Sequence, residues 1–317
     1  MAHNLNENGN RMFYVGERPW HGLGTELKNP ATSREAIMAA KLDYPVAVKK
    51  IYTEDQIEIP EHFATVRCDN NEPLGVVGGQ YTPVQNVEAF DFFDSVVGEK
   101  LAMYHTAGAL GKGEKIWILA KLPDIIKVTK DDIVEKFLLL SNSHDGKSAL
   151  RMFFTPVRVV CQNTLNAALS SVKDGISIRH TGNIKTKIRE AQRALGIALT
   201  FYSDFEKATT AMVEKKLDSN DVNTYFLSLL MDKDEVEMST RKENQLEDLL
   251  GLFDHGRGNE LPEVRHSLWS AYNACTEYSD HFRSVKNDSP SNRLKSIWFG
   301  SGADFKMEAY NTALAML

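Results

Sequence analysis

The chain has 317 residues, 42% of them hydrophobic, and a formal net charge of −6. That length supports one large domain or two ordinary ones, and the acidic balance excludes nucleic-acid binding through global basicity, leaving only a local patch. Three cysteines (Cys68, Cys161 and Cys275) lie far apart with no C-x-x-C pair, which points to a reducing compartment and away from a zinc ribbon. The first residues lack a signal-peptide pattern and no apolar run approaches the roughly 18 residues of a membrane span. A cytoplasmic protein without a membrane partner is expected.

Residues 1–30 are mostly polar and irregular, with one aromatic segment, Phe13-Tyr14-Val15, followed by Pro19-Trp20-His21-Gly22-Leu23-Gly24. Trp-His beside glycines suits a ligand loop, or a loop pinned by a buried indole. Thr32-Ser33-Arg34-Glu35 is a capping box for a short helix ending near Leu42, with Pro45 beyond it. From Val46 the pattern turns to β, with short candidates at 46–48, 57–59, 64–68 and 74–77 and a turn at Asp69–Glu72. Asn86 is placed to cap an amphipathic helix, Val87 to Val97, whose Phe90, Phe92 and Phe93 read as core.

Two strands follow, Leu101 to Ala107 and Lys115 to Leu122, joined by a glycine-rich turn. A phosphate loop is excluded there: with Gly111-Lys112 as its G-K pair, the first glycine would fall at Thr106, and Gly113 replaces the Ser or Thr. The turn is a hairpin tip carrying Lys112 and Lys115.

The central stretch, Lys136 to Ser171, reads as strand, turn, strand, helix. Phe137–Leu140 suits a buried strand, and Asp145-Gly146 is a tight hairpin signal. Ser148 to Thr155 alternates, with Leu150, Met152 and Phe154 on one face and Arg151 and Phe153 on the other. Thr155 and Pro156 then suit the N-cap and first turn of a helix that would show Arg158, Gln162, Asn163 and Asn166 on its polar side.

Beyond Asp174-Gly175 helical periodicity dominates. Ile184, Ile188, Ala191, Leu195, Ala198, Tyr202, Phe205, Thr209 and Met212 keep 4-3 spacing, the seam of a long helix that docks on the body or on a second subunit. Its first turns carry Lys185, Lys187, Arg189 and Arg193. Helices are expected over Asn220–Met231, Arg241–Phe253, Pro262 to about Phe282, and Ala303–Met316. The segment Asn287–Gly302 reads as a polar loop holding Arg293, Lys295, Trp298 and Phe299. The fold class is α+β: a hairpin-rich region over 1–175 and a mostly helical region over 176–317.

No H-E-x-x-H, nucleophile elbow or dinucleotide fingerprint is present, so no metal, cofactor, catalytic triad or nucleotide hydrolysis is expected. His144-Asp145 is either a catalytic pair or a turn histidine beside the turn aspartate.

The run Leu138 to Leu165 resembles the most characteristic block of the phage/plasmid-like protein family. The segments Pro19–Gly24, Gly113–Ala120 and Trp298-Phe299-Gly300-Ser301-Gly302 are similar to the same family. The resemblance implies a protein of phages, plasmids or integrated elements in a bacterial cell, and supplies no reaction. The order helix, hairpins, polar-faced helix is also similar in architecture to phage single-strand annealing proteins of the RecT, Redβ and Sak group. That second likeness implies a homo-oligomer holding single-stranded DNA in a basic groove. Its candidate residues are Lys112, Lys115, Lys147, Arg151, Phe153, Arg158, Gln162 and Asn163, with Lys185 and Arg189 at the basic start of the long helix. Cations would neutralise phosphates and Phe153 would stack a base. The function expected is non-hydrolytic DNA binding in recombination or annealing. The alternatives are a counter-defence or regulatory factor binding a host protein, which the acidic stretch Asp218–Glu247 suits, and an enzyme acting through His21 or His144.

Overall fold

The structure is a computed structural model that describes residues 12–15, 24–29, 31–97, 103–158, 163–164, 176–178, 202–231, 235, 237–287 and 289–317. Its elements are β1 (Met12–Val15), β2 (Thr25–Leu27), α1 (Ser33–Ala39), β3 (Val46–Tyr52), β4 (Glu58–Arg67), β5 (Pro73–Gly78), α2 (Asn86–Val97), β6 (Met103–Leu110), β7 (Lys115–Lys127), β8 (Ile133–Ser143), β9 (Leu150–Arg158), β10 (Asn163–Thr164) and β11 (Ile176–Ile178). Helices follow: α3 over residues 202–214, α4 (Ser219–Leu230), α5 (Thr240–His255), α6 (Leu268–Glu277) with a π-helical turn at Tyr278–Phe282, α7 (Pro290–Phe299) and α8 (Ser301–Met316). Strands gather in the N-terminal half and helices mainly in the C-terminal half, an α+β architecture as the sequence predicts.

The large sheet runs β10-β9-β8-β7-β6-β1-β2, with β11 also on β9, and its only parallel pair among the described strands is β1–β2. Strands β3, β4 and β5 form a separate antiparallel meander. The candidates at 57–59 and 64–68 are two parts of the one strand β4, which bulges where Lys50 pairs with Phe63 and Tyr52 with Glu58. Strand β7 runs past the predicted Leu122: a bulge between Lys121 and Ile125 absorbs Pro123, a position where a strand tolerates a residue without N–H.

The capping box of α1 is present in both directions, Glu35 N–H donating to Thr32 Oγ1 and Thr32 N–H to Glu35 Oε2. Asn86 does not cap α2. Its amide is buried elsewhere, and the first turn is closed by Gln85 N–H donating to Glu88 at 2.8 Å.

The predicted helix entered at Thr155-Pro156 is not there. Both residues lie inside β9, opposite Phe137 and Lys136, and Asn163 and Thr164 form a strand against Arg158 and Val157. On its outer side β9 pairs with β11 at 150–152 and with β10 at 157–158, so Pro156 falls between the two ladders. Pairing with the apolar strand β8 overrides a local capping signal worth only ~1 kcal/mol. The hairpin before β9 is also looser than Asp145-Gly146 suggests: residues 144–149 separate the strands, and Gly146 alone takes a positive φ, +75°.

One face of the large sheet, through Ile116, Ile118, Ala120, Leu138, Leu140, Leu150 and Met152, joins α1, α2 and the C-terminal helices in a single core. Of the heptad seam, Tyr202, Phe205, Thr209 and Met212 are buried against the chain itself. Tyr202 Oη donates to the Phe137 carbonyl at 2.8 Å, and Phe205 packs on Trp269 and Tyr310. The seam from Ile184 to Ala198 lies outside the described residues. Asn287–Gly302, read as loop, holds α7. Ser289 caps it, accepting from Asn292 N–H at 3.2 Å, and Pro290 opens its first turn.

Helix α6 is buried along its whole length. Its π-helical turn brings Asp280 to Lys306 of α8 at 2.6 Å, in an ion pair with side-chain exposures of 4% and 0%. Removing one partner takes away the other's buried counter-charge. Lys306→Ala or Asp280→Ala is expected to cost about 3–5 kcal/mol in urea unfolding, and the double change Lys306→Met with Asp280→Leu to cost less than either. Single changes costing under about 1 kcal/mol would refute a dry pair.

Candidate functional site

The site is built on the other face of the large sheet. Register pairs Trp117 with Ser141 and Ser141 with Arg151, so these three side chains form one row across β7, β8 and β9. Strand alternation adds Lys115 two residues before Trp117. A small apolar cluster of Met12, Leu110, Trp117, Leu119, Phe137 and Leu139 occupies this face, and Trp298 and Phe299 of α7 pack on it. Trp298 meets Trp117 edge-on, with ring centroids 4.9 Å apart.

Cations collect where the strands end. The β6–β7 turn and the β8–β9 loop lie at the same end of the sheet, since Lys115 pairs with Ser143. Lys115 is half-buried, with its ammonium 4.3 Å from the centre of the Phe299 ring. Burial lowers its pKa first, opposed by the charge of Asp145 and aided by those of Lys295 and Arg151. Lys147 and Lys295 are exposed and Arg151 is half-buried. The carboxylate of Asp145 accepts from Ser143 Oγ and from the Lys147 N–H, and that of Glu114 accepts from the Lys112 N–H at 2.6 Å. Among the described residues, no ion pair engages Lys115, Lys147, Arg151 or Lys295.

The three-stranded sheet holds this end in place. Arg67, fully buried, donates to the Lys112 carbonyl at 2.9 Å, stacks 3.9 Å over the Tyr44 ring and pairs with Asp69. Tyr44 Oη donates to the Gly113 carbonyl at 2.8 Å. Thr65 Oγ1 donates to the His144 carbonyl at 2.6 Å, and His144 N–H to the Glu114 carbonyl at 2.7 Å, which ties the two turns together. A Cβ on Gly75 would lie 2.6 Å from Asp145 Cα, so β5 approaches the loop as only glycine permits.

His144 does not pair with Asp145. Its ring is buried, with Nε2 2.8 Å from Asn86 Oδ1, while Asn86 Nδ2 donates to the Leu42 carbonyl. That arrangement is a pin between the turn and α2. Trp20 and His21 lie outside the described residues.

The structure thus brings together Lys115 and Arg151 of the predicted site, with Lys147 exposed in the β8–β9 loop at the same end of the sheet. It engages Lys112 elsewhere, 2.5 Å from Glu72. Phe153 lies in β9 opposite Leu139, and Arg158 ends β9 opposite Val134 and Asn163, while the side chains of Phe153, Arg158 and Asn163 are outside the described set. Gln162, Lys185 and Arg189 lie outside the described residues. Sequence reasoning missed Trp117, Ser141, Lys295 and Trp298. Cross-strand register and the docking of α7 bring them in, and neither has a local signature; only the Ser289-Pro290 start of α7 was open to reading.

Further along the same face, His105 lies edge-on to Phe137, with centroids 5.2 Å apart, near the Lys121–Glu135 ion pair. Burial pushes its imidazole below the ordinary 6.5; Glu135 pulls it up and Lys121 down. Below pH 6.5 the unfolded chain therefore binds the proton that the folded chain resists. Stability carried by neutral His105 is full above that pH and is lost as pH falls towards the folded value. In urea melts, His105→Phe is expected to flatten the decline between pH 7 and 5, with His281, shifted the same way by burial, supplying the remainder. An unchanged slope would contradict this placement.

Among the described residues, no helix is long and apolar enough to cross a membrane. None of the curated proteins and no solved structure compared with the chain matches it. Residues 73–298 match the family described as domain of unknown function (DUF932). That span runs from β5 to Trp298, covers well over half of the 317 residues, and includes the Trp117–Ser141–Arg151 row and the end of α7 packed on it. The chain therefore belongs to the DUF932 family.

Proposed function

We propose that this protein binds single-stranded DNA at the turn-bearing end of its large sheet, as a non-hydrolytic recombination or annealing factor of phages or related mobile elements in the bacterial cytoplasm. The observation that carries the reading is the group Lys115, Lys147, Arg151 and Lys295, drawn to one end of the sheet from two strands, the β8–β9 loop and α7 without an ion pair among the described residues. In a chain of net charge −6, such a local group is the kind of patch that a phosphate backbone requires. Lys147 and Lys295 are exposed and Lys115 and Arg151 half-buried, so a strand has exposed contacts for attraction and recessed ones for position. Assembly into a homo-oligomer belongs to the proposal. The part of the heptad seam within α3 is spent inside the chain, so assembly would use other surfaces.

The alternative, a protein-binding factor acting on a host partner, drew on the acidic stretch Asp218–Glu247. There Asp218 and Asp221 form the capping box of α4, and Glu235 pairs with Lys242. Those carboxylates have local employment.

Binding of a labelled single strand, titrated with salt, tests the reading. Affinity should fall as salt rises, and Lys147→Ala or Lys295→Ala should each reduce the slope of log K against log salt by about 0.7. Lys112→Ala, already neutralised by Glu72, should change it little. Binding absent at low salt, or insensitive to salt, would sink the proposal, and a host partner retained after nuclease digestion would support the alternative.

A further inference from the structure

The face beneath α7 carries an unusual set of polar atoms. Trp117 Nε1, Ser141 Oγ, Arg151 Nε and Trp298 Nε1 are each buried, and each finds no hydrogen-bond partner among the described residues. The side chains of Trp117 and Ser141 are almost wholly inaccessible, at 0% and 2%. Buried polar groups are nearly always satisfied, and each orphan costs free energy, so four in one place ask for a cause. Trp269 shows the ordinary case, its Nε1 donating to Asp132 at 2.8 Å.

These four are neighbours in space. Trp117, Ser141 and Arg151 share one register row, and Trp298 contacts Trp117 from the facing helix. Three of the four atoms can only donate, and the serine hydroxyl can do so. A single partner that reached all four would accept several hydrogen bonds at once. Lys115 lies two residues from Trp117 on the same face, and with Arg151 it adds two positive charges. The partner must then be an anion, approached by donors from the sheet on one side and from a helix on the other. A tetrahedral oxyanion presents acceptors in those diverging directions, whereas a planar carboxylate presents them in one plane.

We propose that Trp117, Ser141, Arg151 and Trp298, with Lys115 beside them, form a binding site for one phosphate group. Such a group comes from a nucleic-acid backbone or from free phosphate. The inference rests on the DNA reading only for the first source. The site binds its phosphate inward of Lys147 and Lys295, which attract a strand without fixing its register. Burial of the indole and hydroxyl donors makes the contact short-ranged and directional, so it positions where the outer lysines steer.

Thermal unfolding of the full chain, with inorganic phosphate compared with chloride at equal ionic strength, tests the site. The wild-type Tm should rise by about 3–5 °C once phosphate exceeds its Kd about a hundredfold. Ser141→Ala and Trp298→Phe keep the local volume and ring while removing one donor each. Each should leave the Tm in chloride unchanged or higher, because a buried orphan is gone, and should lose most of the phosphate increment. No increment in the wild type, or an increment that survives both substitutions, overturns the site. The same variants assayed with a single-stranded oligonucleotide separate the two proposals. Strand binding that is indifferent to both substitutions, while they abolish the phosphate increment, assigns the site to free phosphate and spares the DNA reading, whereas phosphate stabilisation without strand binding keeps the site and rejects the DNA reading.

Discussion

The two-residue alternation of β7, β8 and β9 is the constraint on which the molecule's layout depends. Successive side chains of a strand point to opposite faces, so one register divides these strands into two populations. Ile116, Ile118 and Ala120 enter the large core with Leu138, Leu140, Leu150 and Met152. Lys115, Trp117 and Leu119 turn the other way, with Ser141 and Arg151 beside Trp117 across the sheet. A slip of one residue would send Arg151 and Lys115 into the core and Leu150 and Met152 out of it. The apolar face fixes the register, and the register places the polar row.

What turns that row into a site is support from outside the sheet. The meander β3–β5 grips both turns through Arg67 and Thr65, Tyr44 just before β3 adds a third hold, and each grip ends on a backbone carbonyl rather than on another side chain. Asn86 and His144 fasten the same end to α2. Helix α7 closes the row from the opposite side by setting Trp298 against Trp117. The strand ends and the loop that carry Lys115, Arg151 and Lys147 are therefore held at several points. Pre-organisation of that kind lowers the entropy cost of ordering side chains around a bound anion.

Much of the fold was legible from local pattern. The capping box at Thr32–Glu35, the three phenylalanines of α2, the strand at Phe137–Leu140 and the bounds of α4, α5 and α8 follow signals that act within a few residues. The failures also have physical reasons. Thr155-Pro156 carries the chemistry of a helix start, but pairing of β9 with β8 over eight positions outweighs a single cap. Asn86 is a good N-cap residue whose amide satisfies two buried partners instead. Of the site, Lys115, Lys147 and Arg151 were readable as cations near turns. Lys112 was not separable from them, because Glu72 reaches it from the β4–β5 turn, 40 residues earlier. Trp117, Ser141 and Trp298 read as core or as motif, since only register and helix docking reveal that their polar atoms share one place.

The most direct measurement follows the indole N–H resonances of the ¹⁵N-labelled protein as phosphate is added at constant ionic strength. The signals of Trp117 and Trp298 should move together and saturate, while that of Trp269, already bonded to Asp132, stays still. Saturable movement confined to the first two is the predicted result. If neither moves, the indole edges are held by aromatic contact alone and the phosphate site is contradicted.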